Sequence, residues 1–313
     1  MPAVTRGRRT QSMVRMLAWT VASALATLPA AAQQAPERQA RLMELTLRNV
    51  SYPPVDPGEV DLLKHWQRRE RTVRMPVEQT ALILIDVWDI ENPRESDPMV
   101  AEWIVATAIA PLLAAARAAD MLVIHAAHRP VGWDGRNTAP PGDYRAGDST
   151  ARDQLPPEVA RQPADPQQWP PREFRYRVGE YGQFARNDSP AYMPYAYVRG
   201  IHPGALPVKR DREFIESDFP RVQSLLREHK ILHLLYVGEW TNGCVVMRDV
   251  GIRKMSALGY NTIILRDATW GPELADTWDT MEVTRGAVLD IEILNGFSAL
   301  ASEVTAELRR LAR

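Results

Sequence analysis

The chain of 313 residues contains one cysteine, Cys244, so no intramolecular disulfide is possible and its stability has to come from a packed core. It has almost no net charge. With 38 basic and 39 acidic residues the formal balance is -1, which removes the long-range field that draws a protein to nucleic acid or to an anionic membrane. A small neutral or weakly charged ligand fits such a chain better. The apolar run from Met16 to Leu28 is shorter than the roughly 20 residues a spanning helix needs. No Gly-x-Gly-x-x-Gly follows an expected strand, which argues against a nucleotide-binding oxidoreductase. Internal repeats and low-complexity tracts are lacking too. What the chain does have is length and 45% hydrophobic content, enough for one large domain or at most two.

Arg6, Arg8, Arg9 and Arg15 come first, then the Met16–Leu28 run, then Ala30-Ala31-Ala32. These are the three parts of a secretory signal peptide. Residues 1–32 are therefore expected to be removed, leaving a periplasmic or secreted protein with no membrane attachment. Arg8-Arg9 also suits a twin-arginine signal, although Thr10-Gln11-Ser12 leads poorly into an apolar segment. An exported chain with a lone thiol needs a reason to keep it. A buried small hydrophobe is one; a reactive nucleophile is the other, and the setting of Cys244 decides between them.

Residues 33–79 are polar and broken by Pro53, Pro54 and Pro57, which predicts an extension that wraps or docks without adding a sheet layer. Residues 80–313 alternate strand and helix signals. The run Thr80–Ile85 ends in Asp86 and reads as a strand buried on both faces. A helix from Asp97 to about Ala119, a strand from Met121 to His125, a helix from Pro220 to His229 and a strand from Ile231 to Val237 follow. Val245–Leu258 reads as a helix stopped by Gly259, Asn261–Leu265 as a strand, and Thr277–Leu294 as a helix. A short strand after Gly296 and a helix from Ser302 end the chain. This alternation predicts a three-layer α/β/α, Rossmann-like fold with a mostly parallel sheet. Residues 129–204 interrupt it with prolines and with aromatics from Trp133 to Tyr197, an inserted cap over the sheet's active edge.

Gly238-Glu239-Trp240-Thr241-Asn242-Gly243-Cys244-Val245 follows a strand and opens a helix, so Cys244 is expected at a helix N-terminus. There the helix dipole favours thiolate over thiol, and a nearby lysine would lower the thiol pKa further. A low-pKa thiol, labelled by iodoacetamide near neutral pH, is the expectation.

Three ordered segments now matter together. They are Ala81 through Asp86, Val208-Lys209-Arg210 followed by Phe214, and Val237-Gly238 through Cys244-Val245, reinforced by Ile263 through Thr269. The set resembles the isochorismatase-like cysteine hydrolases, which include nicotinamidases, N-carbamoylsarcosine amidase and ureidoacrylate-type amidases. The resemblance spans about residues 80 to 300 and implies a catalytic triad of Asp86, Lys209 and Cys244. Asp86 would accept the thiol proton and return it to a leaving nitrogen. Lys209 would support the thiolate, and the sulfur would form an acyl- or carbamoyl-enzyme that water resolves. The resemblance also implies an oxyanion hole from the backbone N–H groups of Trp240 and Cys244, with a cis peptide bond at Glu239–Trp240.

The chain departs from that pattern in two places. Relatives carry glutamine two residues after the aspartate where this chain has Trp88, so Trp88, with Trp270, is a candidate substrate-binding residue. Nicotinamidases place an Asp-x-His pair after the second strand; here His125-Ala126-Ala127-His128 lacks the aspartate, and neither metal nor cofactor is expected. The expected partner is a small amide-like substrate, and a homo-oligomer is expected from the resemblance. Rival readings are a vinyl-ether hydrolase of the isochorismatase type, which Cys244 argues against, and a catalytically silent binding module on the same fold.

Overall fold

Two strands precede the first one expected. In the computed structural model, which describes residues 40–51, 65–90, 97–127, 151–185 and 198–312, Leu42–Ser51 (β1) and Gln67–Pro76 (β2) pair antiparallel along their full length. They occupy one edge of an eight-stranded sheet. The extension thus joins the sheet, contrary to the expectation that it would only wrap or dock. The reason is a period-two pattern hidden among polar residues: Met43, Leu45 and Leu47 alternate along β1, and with Met75 of β2 they are buried in the main core. The expected signal peptide, and Pro53, Pro54 and Pro57, lie outside the described residues.

Next come Thr80–Ile85 (β3), Trp88–Ile90 (β4), Asp97–Ile104 (α1), Ala110–Ala118 (α2) and Leu122–Ala126 (β5), with a π turn at Val105–Ile109 joining the two helices. The described part of the insert holds Pro157–Ala160 (α3), Arg172–Arg175 (α4) and Val198–Ile201 (β6). Glu213–Ile215 (β7), Phe219–Glu228 (α5), His233–Glu239 (β8), Cys244–Met247 (α6) and Ile252–Ala257 (α7) follow. Asn261–Trp270 (β9), Glu282–Leu294 (α8), Phe297–Ala299 (β10) and Ala301–Leu311 (α9) complete the chain.

The strand order is β2-β1-β10-β9-β8-β3-β5-β7, and β10, β9, β8, β3, β5 and β7 run parallel. Within this eight-stranded sheet the β1–β10 and β1–β2 pairs are the antiparallel ones. Every residue of β3 is buried, as a central strand between two helical layers requires. On one face Leu82, Leu84, Val237 and Leu265 pack with Leu112, Val304 and Leu308 of α2 and α9. On the other, Ile83, Ile85, Tyr236 and Ile264 pack with Val222, Met255 and Ile291 of α5, α7 and α8. Full burial of each such side chain stabilises the fold by about 1.5–3 kcal/mol relative to exposure. This is the expected three-layer α/β/α arrangement.

Two expected helices differ from the sequence reading. The single helix over 245–258 is broken into α6 and α7, because Arg248 leaves helical geometry at ψ 163°. The helix expected from Thr277 begins at Glu282; the carboxylate of Glu273, from the loop ahead, accepts the N–H groups of Val283 and Thr284 and so takes the capping role. Asp267 does the same for α9, accepting from the N–H groups of Ala301 and Ser302.

The chain builds β3, β5 and β7 outward in one direction, then returns to lay β8, β9 and β10 on the other side of β3. The order reverses between β3 and β8, so the loops after those two strands diverge and leave a crevice at their carboxyl ends. Contact there is very close: Gly238 has φ +108°, and a Cβ on it would lie 1.9 Å from the Ile85 carbonyl oxygen. Gly238→Ala is expected to destabilise the protein by about 3 kcal/mol or more, measured as the shift of the chemical-denaturation midpoint. An unchanged midpoint would show that the two strands separate at no cost.

Candidate active site

Asp86 is the first residue after β3 and Cys244 the first residue of α6, five residues beyond the end of β8. The crevice at the reversal point therefore receives both. Asp86 is buried and has φ 46°, in the left-handed region that aspartate enters more readily than most residues. The turn keeps its carboxylate at the strand end, where its charge bears on the Cys244 thiol.

The segment between β8 and Cys244 is held by a short chain of bonds. Thr269 donates through Oγ1 to the Gly238 carbonyl at 2.7 Å, the Thr241 and Thr269 hydroxyls are 2.8 Å apart, and the Thr241 N–H donates to the Trp270 carbonyl at 2.9 Å. Both threonines are buried. The Trp240 carbonyl then accepts from Gly243 at 2.8 Å and from Val245 at 3.2 Å, curling residues 240–245 into a turn. The Glu239–Trp240 peptide is cis, as the resemblance implied. Among the described residues, the N–H groups of Thr241, Gly243 and Val245 find backbone carbonyls, the first on Trp270 and the others on Trp240, whereas those of Trp240, Asn242 and Cys244 do not. The expected oxyanion donors, Trp240 and Cys244, are two of these three.

The expected third member is elsewhere. Lys209 is exposed, in a loop running into the amino end of β7. Its neighbours tie that loop to the opposite end of the sheet from Asp86: Arg210 donates to the Met121 carbonyl just before β5, and Arg117 near the end of α2 donates to the Leu206 carbonyl. Asp86 follows Ile85, which pairs with Ala126 at the far end of β5. The length of β5 thus separates the two, and the structure does not bring Lys209 to Asp86 and Cys244. Among the described residues, the cation paired with Asp86 is Arg248, which the sequence reading missed. Its Nη1 is 3.1 Å from Asp86 Oδ1, and the guanidinium also donates to the carbonyls of Ala126 at 2.5 Å and Ala127 at 3.1 Å.

Electrostatics correct the expected low-pKa thiol. Burial, the charge of Asp86 and the hydrogen bond to it push the Cys244 thiol up to about 12, against a lowering influence from Arg248; the buried Glu239 adds to the rise. The dipole argument fails because α6 is four residues long and carries little of a helix macrodipole. The lysine argument fails because Lys209 is remote. Cys244 is thus a protonated thiol near a carboxylate.

The remaining candidates fall outside the thiol's immediate surroundings. Trp270 is fully buried in the main core, so its ring is a packing element with no face for a substrate. Trp88 is buried on β4, which pairs with β6 in a separate two-stranded sheet, opposite Ile201. That small sheet brings the end of the insert against the residues that follow Asp86. His125 is buried on β5, 2.8 Å from the Glu213 carboxylate, which Arg117 and Arg210 also hold. Burial keeps His125 below the usual histidine range, and these partners hold the Glu213 carboxyl down at about 2. His128 lies outside the described residues, and among those described no group of three or more His, Cys, Asp or Glu is arranged to hold a metal ion.

No protein-family model matches the chain, and no curated protein does. Among solved structures, it is similar to a cysteine hydrolase from Pseudomonas syringae pv. phaseolicola, at 16% identity over 76% of this chain and 95% of that one, TM-score 0.44. It is also similar to an isochorismatase family protein from Desulfovibrio vulgaris, at 20% identity over 75% and 99% of the two chains, TM-score 0.40. A third, an isochorismatase-like hydrolase from Alkaliphilus metalliredigens, has 13% identity over 72% and 96%, TM-score 0.40.

Two outcomes are expected. Iodoacetamide should label Cys244 slowly at pH 7 and about tenfold faster for each pH unit through pH 10, because only the thiolate reacts; a plateau below pH 8 would contradict the burial argument. Lys209→Met should change turnover less than about twofold, since surface changes away from a site are close to neutral, and a large loss of kcat would bring Lys209 back to the site.

Proposed function

We propose that the chain is an exported cysteine hydrolase that cleaves an amide or related C–N bond in a small molecule through a covalent thioester on Cys244. The observation that carries this is the meeting, at one sheet crevice, of a thiol, a buried carboxylate whose charge acts on it, and the Trp240 and Cys244 N–H groups, which find no backbone carbonyl among the described residues. A protonated thiol beside a carboxylate is a nucleophile that has to be activated as it reacts. The Cys244 proton passes to Asp86 while sulfur attacks the carbonyl carbon. Negative charge develops on the carbonyl oxygen, for which the N–H groups of Trp240 and Cys244 are the donors; one such donor was worth about 2.7–4 kcal/mol in a measured case. Asp86 then gives the proton to the departing nitrogen as the C–N bond breaks. Water attacks the thioester, Asp86 takes a proton from it, and the acid leaves with the thiol restored.

Export belongs to the same reading: removal of residues 1–32 would place the reaction outside the cytoplasm and favour an environmental amide, lactam or ureido compound as substrate. Protein sequencing of the exported form is expected to begin at Gln33.

The test of function is a screen of small amides, lactams and ureido compounds with the mature protein, following release of ammonia or amine. On any substrate found, Cys244→Ser and Asp86→Asn should each lower kcat by about 10²–10⁴-fold, and the double variant should lose little more than the worse single one, as expected of groups serving one step. Near-wild-type turnover by either single variant would overturn the proposal.

A further inference from the structure

We propose that Arg248 is the positioning residue of this site, holding the Asp86 carboxylate ionised and aimed at the Cys244 thiol, in the place where the family resemblance implied Lys209. The inference rests on the hydrolase reading for its catalytic consequence, but not for its geometry.

Three observations carry it. The Arg248 side chain is 14% exposed, and its guanidinium contacts Asp86 Oδ1 and the carbonyls of Ala126 and Ala127 at the same time. It therefore bridges the carboxyl ends of β3 and β5, the planar multi-donor geometry that suits arginine and not lysine. Second, the chain gives up helix to place it. α6 stops after four residues, Arg248 turns extended, and the way back into α7 is so tight that a Cβ on Gly251 would lie 2.8 Å from the Val245 carbonyl oxygen and 3.0 Å from both N and O of Arg248. Third, Arg248 follows Cys244 by four residues in the same short segment, so the nucleophile and the cation are placed by one piece of chain, while the base comes from another.

Among the described residues, Arg248 is the cation paired with Asp86. From α6 the facing group is the Cys244 thiol; from the end of β8 it is Glu239, whose negative charge acts on the same thiol. β4 carries Asp89, three residues past Asp86. On β5, His125 is engaged with Glu213, and Lys209 is exposed at the other end of the sheet. A buried carboxylate with another carboxylate nearby is driven toward its protonated form, in which it is no base; an adjacent guanidinium opposes this. During turnover, the proton taken from sulfur neutralises Asp86 and costs the ion pair, and its transfer to the leaving nitrogen restores it. Arg248 thus favours the proton donation that completes C–N cleavage.

The experiment compares full-length mature wild type with Arg248→Gln, which keeps donors for the carbonyls but loses the charge, and Arg248→Lys, which keeps the charge. The Asp86 carboxyl is followed by 13C NMR in protein labelled at aspartate carboxyls, its signal assigned by its loss in Asp86→Asn. Removing a cation destabilises the ionised form, so the Asp86 midpoint in Arg248→Gln should move to higher pH by about one unit or more, and Arg248→Lys should restore at least half of that displacement. On an amide substrate the acid limb of kcat/KM should move by the same amount, with kcat falling more than KM rises. An Asp86 midpoint unmoved in folded Arg248→Gln overturns the inference. Should Arg248→Gln fail to fold, Arg248→Lys decides: a midpoint within about 0.3 of wild type supports the charge role and a displacement of one unit or more, as one lost charge contact gives, refutes it. If the midpoint moves as expected but no amide is hydrolysed, the hydrolase reading fails and the inference about Arg248 and Asp86 stands.

Discussion

The approach of β8 to β3 governs the site. At Gly238 the two backbones are so near that a methyl group would overlap the Ile85 carbonyl, and this contact sits where the strand order reverses. Everything chemical is arranged from it. One strand delivers Asp86 immediately after Ile85; the other passes through Gly238 and the cis peptide to the turn that presents Cys244. Thr269 and Thr241 fasten that turn to β9 through buried hydroxyls, so the nucleophile's position is fixed from both neighbouring strands. Preorganisation of this kind lets a site act on a reacting group without first paying to order itself.

The electrostatic character of the crevice follows from its burial. A thiol pushed up to about 12 is protected from adventitious oxidation and alkylation, because those reactions need thiolate. For a chain with a single cysteine, and all the more if it is exported as proposed, this resolves the tension between keeping a reactive sulfur and exposing it. On the proposed mechanism, the thiol is quiescent until a substrate carbonyl is close enough for proton transfer and attack to occur together. The position of Arg248 keeps the proton acceptor charged through that wait.

Local signals in the sequence were enough to find β3 with its terminal Asp86, the strand-to-turn segment ahead of Cys244, and the alternation that makes a parallel sheet. Each depends on neighbouring residues: an apolar run of strand length, or a glycine and a cysteine at a strand-to-helix junction. What was not legible depends on distance. Lys209 stands at the right place in the order of segments, yet the bonds of Arg210 and Arg117 hold its loop at the other end of β5. Arg248 looked like an ordinary residue of a continuous helix, and only the three-dimensional position of Asp86 gives it a reason to break that helix. Trp270 was a candidate pocket residue as a large aromatic, but a strand end can equally face the core. The β1–β2 hairpin was missed because its buried alternation, Met43, Leu45 and Leu47, is interleaved with polar residues and followed by prolines.

That hairpin also settles where the sheet stops. β2 is the terminal strand on its side, and its sequence from Gln67 to Arg74 carries Arg68, Arg69, Arg71 and Arg74 with Glu70 among them, nearly all exposed. Arg71 lies over the Phe297 ring and Arg74 pairs with Glu44, so these side chains are spread across the hairpin and its neighbour. An incoming strand from any other chain would have to strip water from a row of guanidinium groups to form its ladder. The opposite edge is guarded differently, by β7 being only three residues long. A ten-residue strand at an open edge is ordinarily an invitation to aggregate; here the same residues that complete the sheet make further growth unfavourable.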